Sequence, residues 1–328
     1  MSIASPDPLG ILESTANLLC DARYVTIDSV AIDAFVASFG GKRPEPTNWD
    51  TSVHFHDASS DRVAGWIFAL DALNFCCWST SEHRWRVTWH DRTHDGYFAL
   101  AAALSRAVEE GFPLWDPKFL AALSAGDVAN MLRGDPDSAE IPLLELRHRH
   151  LVELGLGLGS ETAAELIRRS GGSCIALIET VLQRFPSFRD VAIGPDRRPI
   201  HFYKRAQILI ADLTGALPRT DLGTFHDLDL LTAFADYKVP QVMRQLGILV
   251  YEADLAIRIE RRKLIPAGSL HEIKIRAATI QGCELIRQAL HRSGAELTAS
   301  EIDWLLWTAG QSLPEGTSPY HRTLTPFY

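Results

Sequence analysis

The chain has 328 residues, 46% of them hydrophobic, and a formal net charge of −9. That length and apolar content supply a large core, while the acidic balance argues against a grip on long DNA or RNA, whose phosphates are held by dense Lys/Arg patches. The five cysteines, Cys20, Cys76, Cys77, Cys174 and Cys283, show neither metal-ligand spacing nor a close-set disulfide framework and read as reduced, mostly buried thiols.

Met1 to Pro8 carries no basic segment followed by an apolar run, and no stretch approaches a membrane span, so a cytoplasmic chain without a membrane partner is expected. No Pro/Gly/Ser-rich linker, long charge run or fixed-period repeat divides it. A single compact domain over residues 1–328 is therefore expected.

Apolar positions recur mostly at helical spacing. Val30, Ile32, Phe35 and Val36 form one face of a predicted helix from Asp28 to Phe39, and Val63, Trp66, Ile67, Leu70, Leu73 and Phe75 do so from Asp61 to Trp78. Arg84 to His90 alternates polar with apolar side chains, which predicts a short strand ending in the turn-rich Asp91 to Gly96. Helices are predicted at Tyr97 to Glu110, Ala125 to Arg133 and Pro142 to Leu154, stopped by Gly111, Gly134 and Gly155, and at Ser160 to Arg169 with Ser160 as N-cap. Lys204 to Leu213 is apolar almost without interruption, as in a helix buried on most sides. Pro240 to Leu246, Glu252 to Lys263, Glu272 to His291 and Ser300 to Thr308 complete a mainly α fold with a minor β element.

Three stretches carry residues suited to chemistry. In Phe234-Ala235-Asp236-Tyr237-Lys238-Val239-Pro240-Gln241, proline favours a helix start at Pro240 and an extended Val239. Asp236 then sits just ahead of a helix N-terminus, where free amides and the positive helix end favour an ionised carboxylate. Such an aspartate, beside Phe234 and Tyr237, suits stabilisation of a positive sugar carbon or activation of a water that attacks it. A plain loop or capping role is the alternative.

In Phe202-Tyr203-Lys204-Arg205-Ala206-Gln207, two cations stand at the mouth of an apolar helix, either snorkelling into water or forming a single phosphate-sized anion site. Asp71, Asn74 and Trp78, at spacings of three and four, share a helical face that mixes carboxylate, amide and indole. That face can read a heterocycle edge while Trp78 or Phe75 stacks on it, or it can be a hydrogen-bonded core network. Glu145 and Arg149 read as a surface i,i+4 ion pair and His148 as a solvated helix residue. His54 and His56 lack the further ligands a zinc site needs; phosphate is the remaining candidate ligand for His54.

Several stretches together resemble the queuosine salvage proteins, the queuosine 5'-phosphate N-glycosylase/hydrolase family. They are Asp71 to Ser79, Gly96-Tyr97, Glu109 to Gly111, Leu144 to Arg149, Phe185 to Asp190, Phe202 to Gln207, Phe234 to Gln241 and Glu272 to Arg276, in family order from about Asp61 to Tyr328. The first fifty or so residues match poorly. The resemblance implies a helical fold with likeness to helical DNA glycosylases, and hydrolysis of queuosine 5'-monophosphate to release queuine for salvage; neither a cofactor nor a metal is expected. It places the catalytic aspartate at Asp236, sets Phe234 and Tyr237 against the base or sugar, and carries Asp227, His54 and Asp303 over as further substrate contacts. Queuine is a 7-deazaguanine, so departure of the base needs hydrogen-bond assistance away from position 7. Its cationic amine and diol suit carboxylates, with Asp71, Asp227 and Asp303 as candidates, while the 5'-phosphate suits Lys204, Arg205 or His54. A non-catalytic module that binds a modified nucleobase, or a DNA glycosylase, are the competing readings.

Overall fold

The computed structural model describes residues 6–45, 49–79 and 83–328; Met1 to Ser5, part of the N-terminal stretch read above for a leader, lie outside the described residues. The chain groups into two compact units. One comprises Met1–Thr47, Asp190–Gln207 and Asp227–Leu324, the other Asn48–Arg189, Ile208–His226 and Thr325–Tyr328. Because each unit is assembled from separated stretches, no linker marks a boundary in the sequence. Among the described residues there are fourteen α-helices and three two-stranded antiparallel ribbons, a mainly α architecture. No helix among them is long and apolar enough to cross a membrane.

The first unit is built on the 23-residue helix Leu270–Arg292, whose start is capped by the Ser269 side chain. Ile275, Ala278, Cys283 and Ile286 pack with Val239, Val242 and Met243 of the helix Lys238–Gln245 and with Ile302 and Leu306 of Ala299–Ala309. Ile273, Ala277 and Ile280 pack instead with Ile11, Leu18, Ile200, Phe202 and Ala235. A helix apolar on two faces is buried on both, and its polar residues are left to find partners inside. In the second unit the helix Ser60–Ala72 is buried at every residue from Val63 to Ala72.

Several boundaries differ from the predicted ones, each for a local reason. Asp91 to Gly96 is not a loop: Arg92–Asp95 pairs with Arg86–Trp89, and the turn is His90-Asp91 alone, both left-handed at φ 46° and 58°. Positive φ at both central residues is the geometry a two-residue hairpin needs, here without the Asn-Gly that signals it. The helix Lys238–Gln245 starts two residues before Pro240, so Val239 is helical rather than extended; proline in the first turn removes an amide that has no intrahelical acceptor anyway. The helix Ala163–Arg169 is capped by Thr162, in a capping box with Glu165, and not by Ser160. Ser60–Ala72 stops at Ala72, so Asn74 and Trp78 do not continue a helical face with Asp71.

Gly155 does not stop its helix, which runs over Leu144–Leu158 to Gly159. Its role is steric: a Cβ at Gly155 would fall 2.6 Å from the Pro117 carbonyl oxygen and collide with the Ala121 amide, both belonging to the segment around the helix Pro117–Ala121. Gly155→Ala is therefore expected to destabilise the protein by about 1–3 kcal/mol through overpacking, against the roughly 1 kcal/mol that alanine gains as a helix former. Urea denaturation of the variant measures the balance.

Candidate active site

The first unit gathers Asp236, Phe234, Lys204 and Asp303, four of the residues singled out from the sequence. Asp236 stands two residues before the helix Lys238–Gln245, and its Oδ1 accepts the amides of Lys238 at 2.9 Å and Val239 at 2.8 Å. Both bonds fall on one oxygen. Oδ2 accepts no hydrogen bond among the described residues, so the carboxylate is fixed by one oxygen.

The electrostatics of Asp236 are a contest. Burial raises its pKa above the ordinary aspartate range, while the Lys204 charge, the two amides and the Lys238 charge hold it down; burial wins. The sequence had suggested an aspartate held anionic by the helix end alone. Amides are present as expected, but the depth of the side chain outweighs them.

Asp303, on the helix Ala299–Ala309, accepts the Phe234 amide at 2.9 Å through Oδ1. Burial, then the neighbouring Asp236 charge, raise its pKa well above the ordinary value, with the Phe234 amide and Lys204 opposing. Two buried carboxyls near one another cannot both ionise cheaply, and one lysine faces both. Lys204 opens the helix Lys204–Ala216 and is only 5% exposed; Arg205 is 1% exposed. Neither snorkels into water. Phe234 is buried at 2%, and Tyr237 is half-buried with its ring 4.9 Å from that of Tyr320. Asp227 is half-buried just before the 3-10 turn Leu228–Leu230.

The second unit holds His54, Asp71, Asn74, Phe75 and Trp78, all buried. His54 Nδ1 lies 2.6 Å from the Asp50 carbonyl, and Nε2 lies 2.9 Å from the Tyr97 hydroxyl. A carbonyl only accepts, so Nδ1 carries the proton and Nε2 accepts from Tyr97. Burial lowers the His54 pKa to about 4, so near neutral pH this ring offers hydrogen bonds rather than a positive charge. Burial, with the charges of Asp212 and Asp71, raises the Tyr97 pKa well above its ordinary value. Asn74 Nδ2 donates to Asp71 Oδ1 at 3.2 Å, a link made across the helix end rather than along one face. Phe75 lies under the Arg147 guanidinium at 4.3 Å and beside the His150 ring at 5.2 Å.

Glu145 and Arg149 form the expected exposed pair. His148 is half-buried, and its Nε2 meets the Leu123 carbonyl at 2.8 Å. Sequence reasoning passed over Tyr97 and Asp212, which gather around His54, and over Arg147, Asp190 and Arg276, which lay in noted motifs but received no role. Buried arginines and aspartates look like surface residues in any count of apolar periodicity.

Residues 53–328 match the family model described as queuosine salvage protein. The chain is 47% identical over 325 residues to a protein of Sphaerobacter thermophilus named queuosine 5'-phosphate N-glycosylase/hydrolase, covering 98% of each chain. It is 33% identical to the mouse protein of that name, over 98% of this chain and 99% of that one, and 32% identical to the bovine protein, over 96% and 98%. A match of this breadth, extending through the Phe234 to Gln241 and Glu272 to Arg276 segments, leaves one assignment: the chain belongs to the queuosine salvage protein family.

Proposed function

We propose that the protein hydrolyses the N-glycosidic bond of queuosine 5'-monophosphate and releases queuine, with Asp236 facing an oxocarbenium-like ribose. The observation that carries this reading is the carboxylate geometry: two helix-start amides hold Oδ1 while Oδ2 accepts no hydrogen bond among the described residues. Departure of the base leaves positive charge on the anomeric carbon, and a fixed anion at that point lowers the barrier without reorganising as the charge develops. Water then adds to the anomeric carbon, its proton is lost, and the departing base takes one up.

Lys204 and the two amides keep the ionised form of Asp236 accessible despite burial. Phe234 and Tyr237 are assigned to the walls of the base or sugar. Asp303, Asp227 and Asp71 are assigned to the amine and diol of queuine. A cationic amine beside Asp303 would oppose the upward shift that burial and Asp236 impose and draw that carboxyl back towards its ionised form. For the phosphate, Lys204 supplies charge, whereas His54, neutral and with Nδ1 engaged by the Asp50 carbonyl and Nε2 by Tyr97, reaches a phosphate oxygen only by exchanging one of those bonds. Asn74, Phe75 and Trp78 are assigned to the heterocycle. The same reading carries the cytoplasmic location and the likeness to helical DNA glycosylases.

Incubation with queuosine 5'-monophosphate and mass spectrometry for free queuine tests the activity; binding without release would leave a nucleotide-binding module instead. The carboxyl pair also sets opposite pH trends. Activity needs Asp236 ionised, so turnover is expected to fall with acid through a pKa above 3.8. Stability runs the other way. A carboxyl whose folded pKa is raised keeps its proton in the fold when the unfolded chain has lost it, so its contribution is greatest below 3.8 and is lost as pH rises through the folded value. Asp303→Asn removes that loss while keeping an acceptor for the Phe234 amide. The variant is expected to gain stability over the parent as pH rises, read from denaturant midpoints at several pH values.

A further inference from the structure

Four of the segments noted in the sequence, Phe185 to Asp190, Phe202 to Gln207, Phe234 to Gln241 and Glu272 to Arg276, supply a buried polar network around one guanidinium. Arg276, 2% exposed on the helix Leu270–Arg292, donates from Nη1 to Asp190 Oδ1 at 2.9 Å and from Nη2 to Asp190 Oδ2. Its Nε donates to the carbonyl of Ala235 at 3.1 Å, the peptide immediately before Asp236. Glu272 lies 3.6 Å away, and the guanidinium sits 3.9 Å from the centre of the Phe202 ring.

Asp190 is tied in turn to the other end of the candidate site. Its backbone carbonyl accepts the amides of Phe202 at 3.0 Å and Tyr203 at 3.2 Å, and its Oδ2 takes the Lys204 amide at 3.4 Å. Tyr203 is left-handed at φ 49°, a conformation that costs a bulky residue free energy and persists only where its surroundings hold it. Lys204 follows at once and is the cation that faces Asp236 and Asp303.

We infer that Arg276 and Asp190 are positioning residues, which hold the Ala235-Asp236 peptide and the Lys204 helix start in register so that the carboxylate and its lysine meet the substrate together. Arg276 and Asp190 act on the backbone that carries Asp236 and Lys204, through the Ala235 carbonyl and the Lys204 amide. Placement of this kind is felt in the rate: a displacement of about 1 Å can cost on the order of 100-fold. A packing role alone would lower stability and leave the rate of the folded enzyme intact.

The inference rests on the proposed role of Asp236, so that variant is measured alongside. Arg276→Lys keeps a positive charge facing Asp190 and Glu272 but has no Nε to hold Ala235. With queuosine 5'-monophosphate as substrate it is expected to lose about 10- to 100-fold in kcat with KM little changed. A folded Arg276→Lys enzyme with parental kcat, alongside an inactive Asp236→Asn, overturns the positioning role and leaves the Asp236 reading standing. Parental activity in Asp236→Asn overturns both. Should the lysine variant fail to fold, Phe202→Leu withdraws the ring from the guanidinium with every charge in place: a smaller loss in kcat alone is expected, and parental kcat rejects the inference.

Discussion

Asp236→Asn is expected to lower kcat by about 10³-fold, a loss of roughly 4 kcal/mol in transition-state stabilisation, with KM for queuosine 5'-monophosphate little changed. The substitution isolates charge from shape. An asparagine Oδ1 can accept the same amides of Lys238 and Val239, so the loop keeps its geometry while the anion is removed. A change felt only when the ribose becomes positive appears in kcat and not in substrate affinity. The fold responds in the opposite sense. Burial opposes the Asp236 charge, and that charge helps raise Asp303, so a neutral side chain relieves both. The variant is expected to melt no lower than the parent at neutral pH. Lost turnover with undiminished thermal stability marks a catalytic group; a parental rate removes Asp236 from the mechanism.

That expectation began in an octapeptide, and how far a sequence shows such a site depends on range. Asp236, Phe234 and the helix start lie within a few residues of one another, and the link between proline and helix N-termini located them to within two residues. Whether the aspartate is anionic was not local: it depends on depth and on Lys204, brought in from another helix. Asp190 and Arg276, 86 positions apart, lay in segments noted for their resemblance but gave no sign of pairing. The Asp71 to Ser79 segment was read as one helical face because its spacing fits three and four; Cys76, left-handed at φ 45°, and the arrest at Ala72 show the backbone turning instead. Spacing predicts a face only while the helix lasts, and the helix end here is set by a partner more than seventy residues away.

That partner is Arg147, and Arg147→Met is expected to destabilise the protein by about 3–5 kcal/mol, the range for withdrawing a fully buried donor from several carbonyls at once. The guanidinium is fully buried and donates to four carbonyls: Leu73 and Phe75 at 2.6 Å each, Cys76 at 3.2 Å and Pro142 at 2.9 Å. The first three belong to the turn that ends the helix Ser60–Ala72, where no further helical amide is available to them. Methionine fills much of the volume but donates to none of them; the Leu73 carbonyl keeps the Phe75 amide at 2.8 Å and the Phe75 carbonyl the Cys77 thiol at 3.6 Å, while a buried carbonyl left without a donor costs about 1–3 kcal/mol. Arg149 lies two residues further along the same helix and among the described residues is paired only with the exposed Glu145, so Arg149→Met is expected to change stability by about 0.5 kcal/mol or less. Chemical denaturation of the two variants side by side separates the readings. Equal, small losses would mean that the turn after Ala72 holds its shape without the arginine, and that Asp71 and Asn74 owe their placement to the surrounding apolar core.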